Sequence, residues 1–256
     1  MAESPHVQSL SRGLAVIRSF NAQHPRQNLS SVAEATGLAR ATARRFLHTL
    51  VAEGYADTDG SEFWLTPAIL ELGYSYMSGL GLPAIAQPHL EKLSRTIDES
   101  CSLSVLDGTE VVYVGRVPVR RIMTVNITIG TRFPAYATSM GRVLLAGLTP
   151  DALDRYFESA EINTLTPITK IDEVDLRATL QQVRNDGWCL VDQELEPGLR
   201  SLAAPIHNSS GEVIAAVNIS TQTSVRSLDT LVEDFLPELL STCRDISKDL
   251  IATAQT

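Results

Sequence analysis

The chain has 256 residues, 44% of them apolar, and a formal net charge of −9, enough material for one sizeable core or two modest ones. No apolar run reaches the roughly 18 residues that a spanning helix needs, and the opening MAESPHVQSL lacks a charged leader with an apolar core, so a cytoplasmic protein is expected. Three distant cysteines (Cys101, Cys189, Cys243) outside any CxxC pair, with five scattered histidines, suggest no disulfide framework, no metal site and no cofactor.

The acidity is unevenly spread. Residues 1–66 hold six Arg and six acids, which leaves 15 of the 21 basic and 24 of the 30 acidic residues, and the whole net charge, in residues 67–256. A neutral head with clustered arginines remains compatible with DNA, because a dimeric binder gains affinity from both copies.

Taken in order, Leu10, Leu14, Ile17 and Phe20 fall at helical spacing over residues 8–21, and His24-Pro25 ends the pattern. Ser31-Val32-Ala33-Glu34 fits a capping box opening a second, short helix, with Gly37 as its left-handed stop. Leu38 to Gly54 predicts a third helix. Ala43, Phe46, Leu47, Leu50 and Val51 gather on one side, while Ala41, Thr42, Arg45, His48 and Thr49 take the other and Arg40 and Arg44 flank them. An Arg among small hydroxyl residues can pair with guanine edges in a major groove while flanking arginines take phosphates; a solvated surface helix is the plain alternative. YADTDGSEFWLT then gives two short runs about Asp59-Gly60, a two-residue hairpin signal. Helix, turn, helix and hairpin in that order make a winged helix-turn-helix over residues 8–66.

Pro67 opens a helical run to residue 81 whose apolar positions (Ile69, Leu70, Leu72, Tyr76, Met77) are too few for a core of their own. It is expected to be a linker helix packing on a second subunit, with an ordinary intradomain helix as the alternative. Residues 82–253 form the second domain. A helix over 82–98 precedes strand-like runs at 101–106, 110–117 and 122–129, with Asp107-Gly108 turning the first two. Helices follow at 138–148, 150–157 and 173–184, strands at 202–206 and 213–219, and a terminal helix over 227–252 interrupted at Pro237. The fold class is α+β with an antiparallel sheet.

There is no GxSxG, Walker loop, GxGxxG or HExxH, and Cys101 or Cys189 with His207 is the only conceivable nucleophile and base pair. A binding cavity accounts for the second domain better. Ser139-Met140-Gly141 opens a helix after a Thr138 cap, so its amides can face a carboxylate. Arg132 nearby offers a bidentate donor if it turns inward, and is otherwise a solvated loop residue. Asn218 and Ser220, two apart on a strand, share a face and either line the cavity or serve the sheet's own hydrogen bonding. Arg116, Arg120 and Arg121 cluster; they neutralise an acid, meet a partner subunit or are solvated.

The segments QSLSRGLAVI and SSVAEATGLARATARRFLHTLVAEGY resemble the N-terminal domain of IclR-family bacterial transcription regulators. GTRFPAYATSMGRVLLAGL and GLRSLAAPIHNSSGEVIAAVNIS resemble that family's effector domain, which is GAF-like. The stretch VPVRRIM with GTRFPAY further resembles the subgroup regulating protocatechuate, 4-hydroxybenzoate and β-ketoadipate catabolism. The resemblance implies that Asp192 and Glu194 stand at an acidic position lining the effector cavity, and that Ser201, Asn218 and Ser220 form its polar wall. Two features depart from the pattern: the wing carries Asp57, Asp59 and Glu62 but no Lys or Arg, and Ala39 replaces a side-chain cap on the third helix.

The expectation is a ligand-responsive transcription regulator with no enzymatic activity. Arg45, Thr42 and His48 read bases and Arg40, Arg44 and Arg12 hold phosphates of a double-stranded, pseudo-palindromic operator. The effector is a small aromatic or keto carboxylate, and the assembly a homodimer or dimer of dimers. The alternatives are a cytosolic enzyme acting on a small acid, with its N-terminal helices used for dimerisation, and a purely architectural DNA binder.

Overall fold

The spacing read over residues 8–21 forms α1 (Gln8–Ser19), but the face it buries is rotated from the expected one. Val16 is sealed, with Ile17 and Phe20 against the same core, while Leu10 and Leu14 remain 63% and 37% exposed. The computed structural model describes residues 6–21, 23–73, 81–119 and 127–253, and the chain divides after Gly79 into two units.

In the first unit β1 (Arg26–Asn28) leads directly into α2 (Leu29–Thr36). The expected capping box at Ser31 is therefore corrected. Asn28, leaving the strand, is the cap, and its Oδ1 accepts from the amides of Ser30 and Ser31 at 2.9 and 3.0 Å. Gly37 closes the helix at φ +65°. The third helix, α3 (Arg40–Ala52), starts at Ala39 without a side-chain cap and buries Ala43, Leu47 and Leu50. Strands β2 (Ala56–Thr58) and β3 (Glu62–Leu65) form the hairpin, with β1 as a third, antiparallel strand beside β3.

The turn sits one position later than read: Thr58 pairs with Phe63 and the Asp59 amide donates to the Glu62 carbonyl at 3.3 Å, which leaves Gly60 and Ser61 at the tip. The Asp59 carboxylate closes it, accepting from the amides of Ser61 and Glu62 at 2.9 Å each. These donors, more than any nearby charge, hold its carboxyl well below the usual range.

The second unit is built on one six-stranded antiparallel sheet in the order β6-β5-β4-β9-β8-β7. Its strands are β4 (Ser100–Asp107), β5 (Glu110–Val117), β6 (Arg132–Pro134), β7 (Cys189–Asp192), β8 (Leu199–His207) and β9 (Val213–Gln222). Gly108 and Thr109 make the two-residue turn, one position later than read. Helices α4 (Leu82–Ile97) and α8 (Leu236–Thr253) pack on one face of the sheet, and α5 (Ser139–Ala146) and α7 (Glu173–Asp186) on the other side, with α6 (Pro150–Ser159) beyond α5.

Alternation assigns the faces. Leu103 meets α4 across Gly115, whereas the Ser104 hydroxyl donates to Met140 Sδ of α5. A π-helical stretch, Thr230–Phe235, precedes α8, so the register changes just before Pro237, which has no N–H for an α-helical ladder.

Residues 122–126 of the expected strand 122–129 lie outside the described residues, and the next described strand is β6. Of the expected linker helix, Pro67–Ile69 is a 3₁₀ turn and 70–73 are helical, while 74–80 lie outside the described residues. Among the described residues no helix is long and apolar enough to cross a membrane.

The capping correction can be tested on stability. Asn28→Ala should cost about 1 kcal/mol in urea unfolding of the N-terminal unit, and Ser31→Ala only a few tenths.

Candidate functional site

The apolar side of α3 is fixed in the core, so its other side must face solvent. Arg40, Arg44, Arg45 and His48 are exposed there, and Thr42 and the α1 residue Arg12 are half-buried. No ion pair forms at Arg12, Arg40, Arg44 or Arg45 among the described residues. His48 is tied to its surroundings: its ring meets Phe63 of β3 edge-on, centroids 5.9 Å apart, and Arg44 Nε lies 3.5 Å from its Nε2.

Two of the wing's three acids are engaged locally, and Asp57 makes no ion pair among the described residues. Arg26 on β1 reaches Asp59 at 2.7 Å and Glu62 at 3.3 Å, and its guanidinium lies 3.8 Å from the Trp64 ring centroid. The unpaired cations of α3 therefore share the unit with a wing in which one arginine offsets two of three carboxylates.

In the second unit a cavity of about 130 Å³ opens on the α5 face of the sheet. Tyr113, Phe133 and Thr138 contribute to one side, Ser201, Asn218 and Ser220 to the floor, and the segment from Leu195 to Leu199 to the rim. Hydroxyls and amides satisfy one another there. Ser139 Oγ donates to Ser201 Oγ at 2.8 Å and Asn218 Nδ2 to Ser220 Oγ at 2.9 Å, while Asn218 Oδ1 is buried without a partner. Burial pushes the Tyr113 phenol up to about 12, so it stays a neutral donor.

The sequence-predicted cavity residues separate into two groups. Ser201, Asn218 and Ser220 line the cavity; the others do not. Ser139 stands behind Ser201, and Met140 belongs to the core. Gly141 is required by packing, since a Cβ there would lie 2.1 Å from the Ala135 carbonyl oxygen, and its amide is taken by the Thr138 hydroxyl rather than left for a ligand.

Arg132 turns outward to Glu110 and Asp107, both at 2.7 Å, and its neighbour Phe133 takes the inward position. Asp192 pairs with Arg200 at 2.7 Å. Glu194 is buried against Arg142, whose two terminal nitrogens donate to its two oxygens at 2.7 and 2.6 Å. Sequence reasoning missed Tyr113, Phe133 and the Leu195–Leu199 rim, although alternation from a known inward neighbour would have found the first two. Arg120 and Arg121 lie outside the described residues.

The thiols offer no nucleophile. Cys101, Cys189 and Cys243 are all buried, and burial pushes Cys189 and Cys243 up to about 12 and Cys101 further.

Two family models match the chain: the IclR helix-turn-helix domain over residues 9–60 and the bacterial transcriptional regulator IclR C-terminal domain over residues 74–248. The chain is 42% identical over 243 residues to the Pca regulon regulatory protein of Pseudomonas putida, covering 94% of this chain and 84% of that one. It resembles a crystal structure from Rhodococcus sp. RHA1 with a TM-score of 0.88 at 59% identity, covering 97% of this chain and 100% of that one. It also resembles an IclR homolog from Microbacterium hydrocarbonoxydans, crystallised with 4-hydroxybenzoate, with a TM-score of 0.86 at 25% identity, covering 96% and 100%.

The Arg142 and Glu194 pair behind the rim generates a prediction. Glu194→Ala should destabilise the effector unit by about 3 kcal/mol or more, because a sealed guanidinium is left uncompensated. Replacing both partners, as in Arg142→Met with Glu194→Leu, should recover most of the loss in urea unfolding.

Proposed function

The chain belongs to the IclR family of bacterial transcriptional regulators, and we propose that it senses a small aromatic or keto carboxylate and controls genes for aromatic catabolism. The observation that carries this is the pairing of an unpaired arginine face on α3 with a hydroxyl-lined cavity in the second unit. The relative from P. putida regulates the pca regulon, and the Microbacterium homolog holds a single-ring acid; both favour an aromatic pathway here.

In this reading α3 enters a major groove. Arg45 and Thr42 read base edges, and Arg40, Arg44 and Arg12 hold phosphates. His48, in contact with Phe63, both reads and braces the helix against the wing. The chain acts as a dimer on a pseudo-palindromic operator, with pairs of dimers formed through the effector units. Exposed Val7, Leu10 and Leu14 along α1 favour an isologous contact between heads. Ser201, Asn218 and Ser220 contact the effector, whose binding shifts the population of conformers with different operator affinity.

The assignments separate in binding assays. Arg45→Ala should relax preference at one base position and cost roughly 1–3 kcal/mol, whereas Arg44→Ala should weaken all sequences alike and reduce the salt slope by about one. Ser220→Leu should fill the cavity and abolish the effector response of an operator shift assay while leaving effector-free operator binding intact; loss of both would mean misfolding instead. Saturable binding of 4-hydroxybenzoate, protocatechuate or β-ketoadipate without turnover is the expected result for the purified chain.

A further inference from the structure

A carboxylate brought into a water-poor cavity needs a cation, and the arginines next to or behind the cavity residues Phe133, Thr138 and Ser201 are already ion-paired. Arg132 is held by Glu110 and Asp107, Arg142 by Glu194 and Arg200 by Asp192. Arg116 differs. It is half-buried on β5, makes no ion pair among the described residues, and donates from Nη1 to the Ser102 hydroxyl at 3.1 Å.

Its face is set by a local irregularity. Tyr113 and Arg116 are three residues apart and would point to opposite faces of a regular strand. The register against β4 shifts between Leu103 and Ser104, so Ser104 pairs with Tyr113 and Ser102 with Arg116. The extra residue returns both side chains to the α5 face.

Ser102 pairs on its other side with Asn218, a cavity residue. Arg116 is not part of the lining itself, but neighbouring strands lie about 4.8 Å apart, so a guanidinium resting on Ser102 stands about one strand spacing from the Asn218 floor, beside Tyr113. Burial lowers the guanidinium's affinity for its proton while leaving it charged. An incoming anion relieves that unpaired, partly desolvated charge.

We infer that Arg116 is the anion anchor of the ligand cavity, oriented by Ser102 to receive the carboxylate of the effector. The inference deepens the carboxylate-sensing role proposed above and rests on it. The ring of the ligand then lies over Asn218 and Ser220, and the neutral Tyr113 phenol is available as a second donor to the same carboxylate.

The test is isothermal titration of the full chain with 4-hydroxybenzoate, protocatechuate and β-ketoadipate, repeated on Arg116→Met and Arg116→Lys. Arg116→Met should lose roughly 30-fold or more in affinity for the acid that binds best, the scale of a lost hydrogen bond to a charged group. Arg116→Lys should recover part of that loss. Because the guanidinium has no carboxylate partner to orphan, the ligand-free melting temperature of Arg116→Met should be unchanged or raised. Wild-type affinity in Arg116→Met overturns the anchor alone, as does a lowered ligand-free melting temperature, which would mark a structural role. A wild-type chain that binds none of the three acids overturns the carboxylate-sensing reading itself, and the anchor with it.

Discussion

A guanidinium sealed from water must find a carboxylate, and much of the cavity wall follows from how one such pair is satisfied. Arg142 is 1% exposed, donates from Nε to the Tyr136 carbonyl at 2.8 Å and grips Glu194 with both terminal nitrogens. Glu194 also accepts the amide of Lys170 at 2.8 Å, and the Thr169 and Thr166 hydroxyls hold the carbonyls of Glu194 and Gln193. The stretch before α5, the loop before α7 and the segment after β7 thus meet at one ion pair. Thr138 and Leu195–Leu199, on either side of it, are cavity wall. Burying two charges gives little net stability, yet separating them is costly, so the pair acts as a constraint on geometry.

Charge in the head follows the opposite rule. Asp59 is consumed by its own turn and by Arg26, and Arg26 is consumed in return by Asp59, Glu62 and the Trp64 ring. Among the described residues the arginines on α3 make no ion pair. A protein of net charge −9 can attract a polyanion because screening cuts charge interactions off within about 8 Å at physiological ionic strength. For a polyanion in contact with α3, the local imbalance there therefore matters more than the net charge of the whole chain, and Arg26 limits the opposing effect of Asp59 and Glu62.

The parts of this chain that were legible in its sequence are those fixed by local periodicity. The order of helices and hairpin in the head, the two faces of α3, and the shared face of Asn218 and Ser220 all follow from residues within a turn or two of one another. The misreadings come from partners distant in sequence. Glu194 was placed at the cavity by resemblance, and its partner Arg142, 52 positions away, has no signal in the spacing. Arg132 was expected to turn inward, but the β4-β5 hairpin places Asp107 and Glu110 beside it on the outside. Asn28 was passed over as a cap because β1 is three residues long and exists only through its pairing with β3. The irregularity in β4 and β5 that turns Arg116 toward the cavity face leaves no mark in the alternation of apolar residues.

Arg116 and Arg142 belong to the same unit, and their difference describes what a sensor requires. A cavity provided with its own carboxylate would be locked, as Arg142 is by Glu194, and an arriving acid would have nothing to gain. A cavity without any cation would bind an acid only at the cost of stripping its water. Hydroxyls that satisfy one another line the cavity, while the half-buried guanidinium, held among the described residues by Ser102, and the buried Asn218 Oδ1 are left with favourable interactions unmade. The ligand completes the first of these interactions, and only a conformer in which Arg116, Ser102 and the rim hold the right spacing can accept it. That selectivity between conformers is what an effector needs in order to change operator affinity, since a ligand binding both states equally would shift neither.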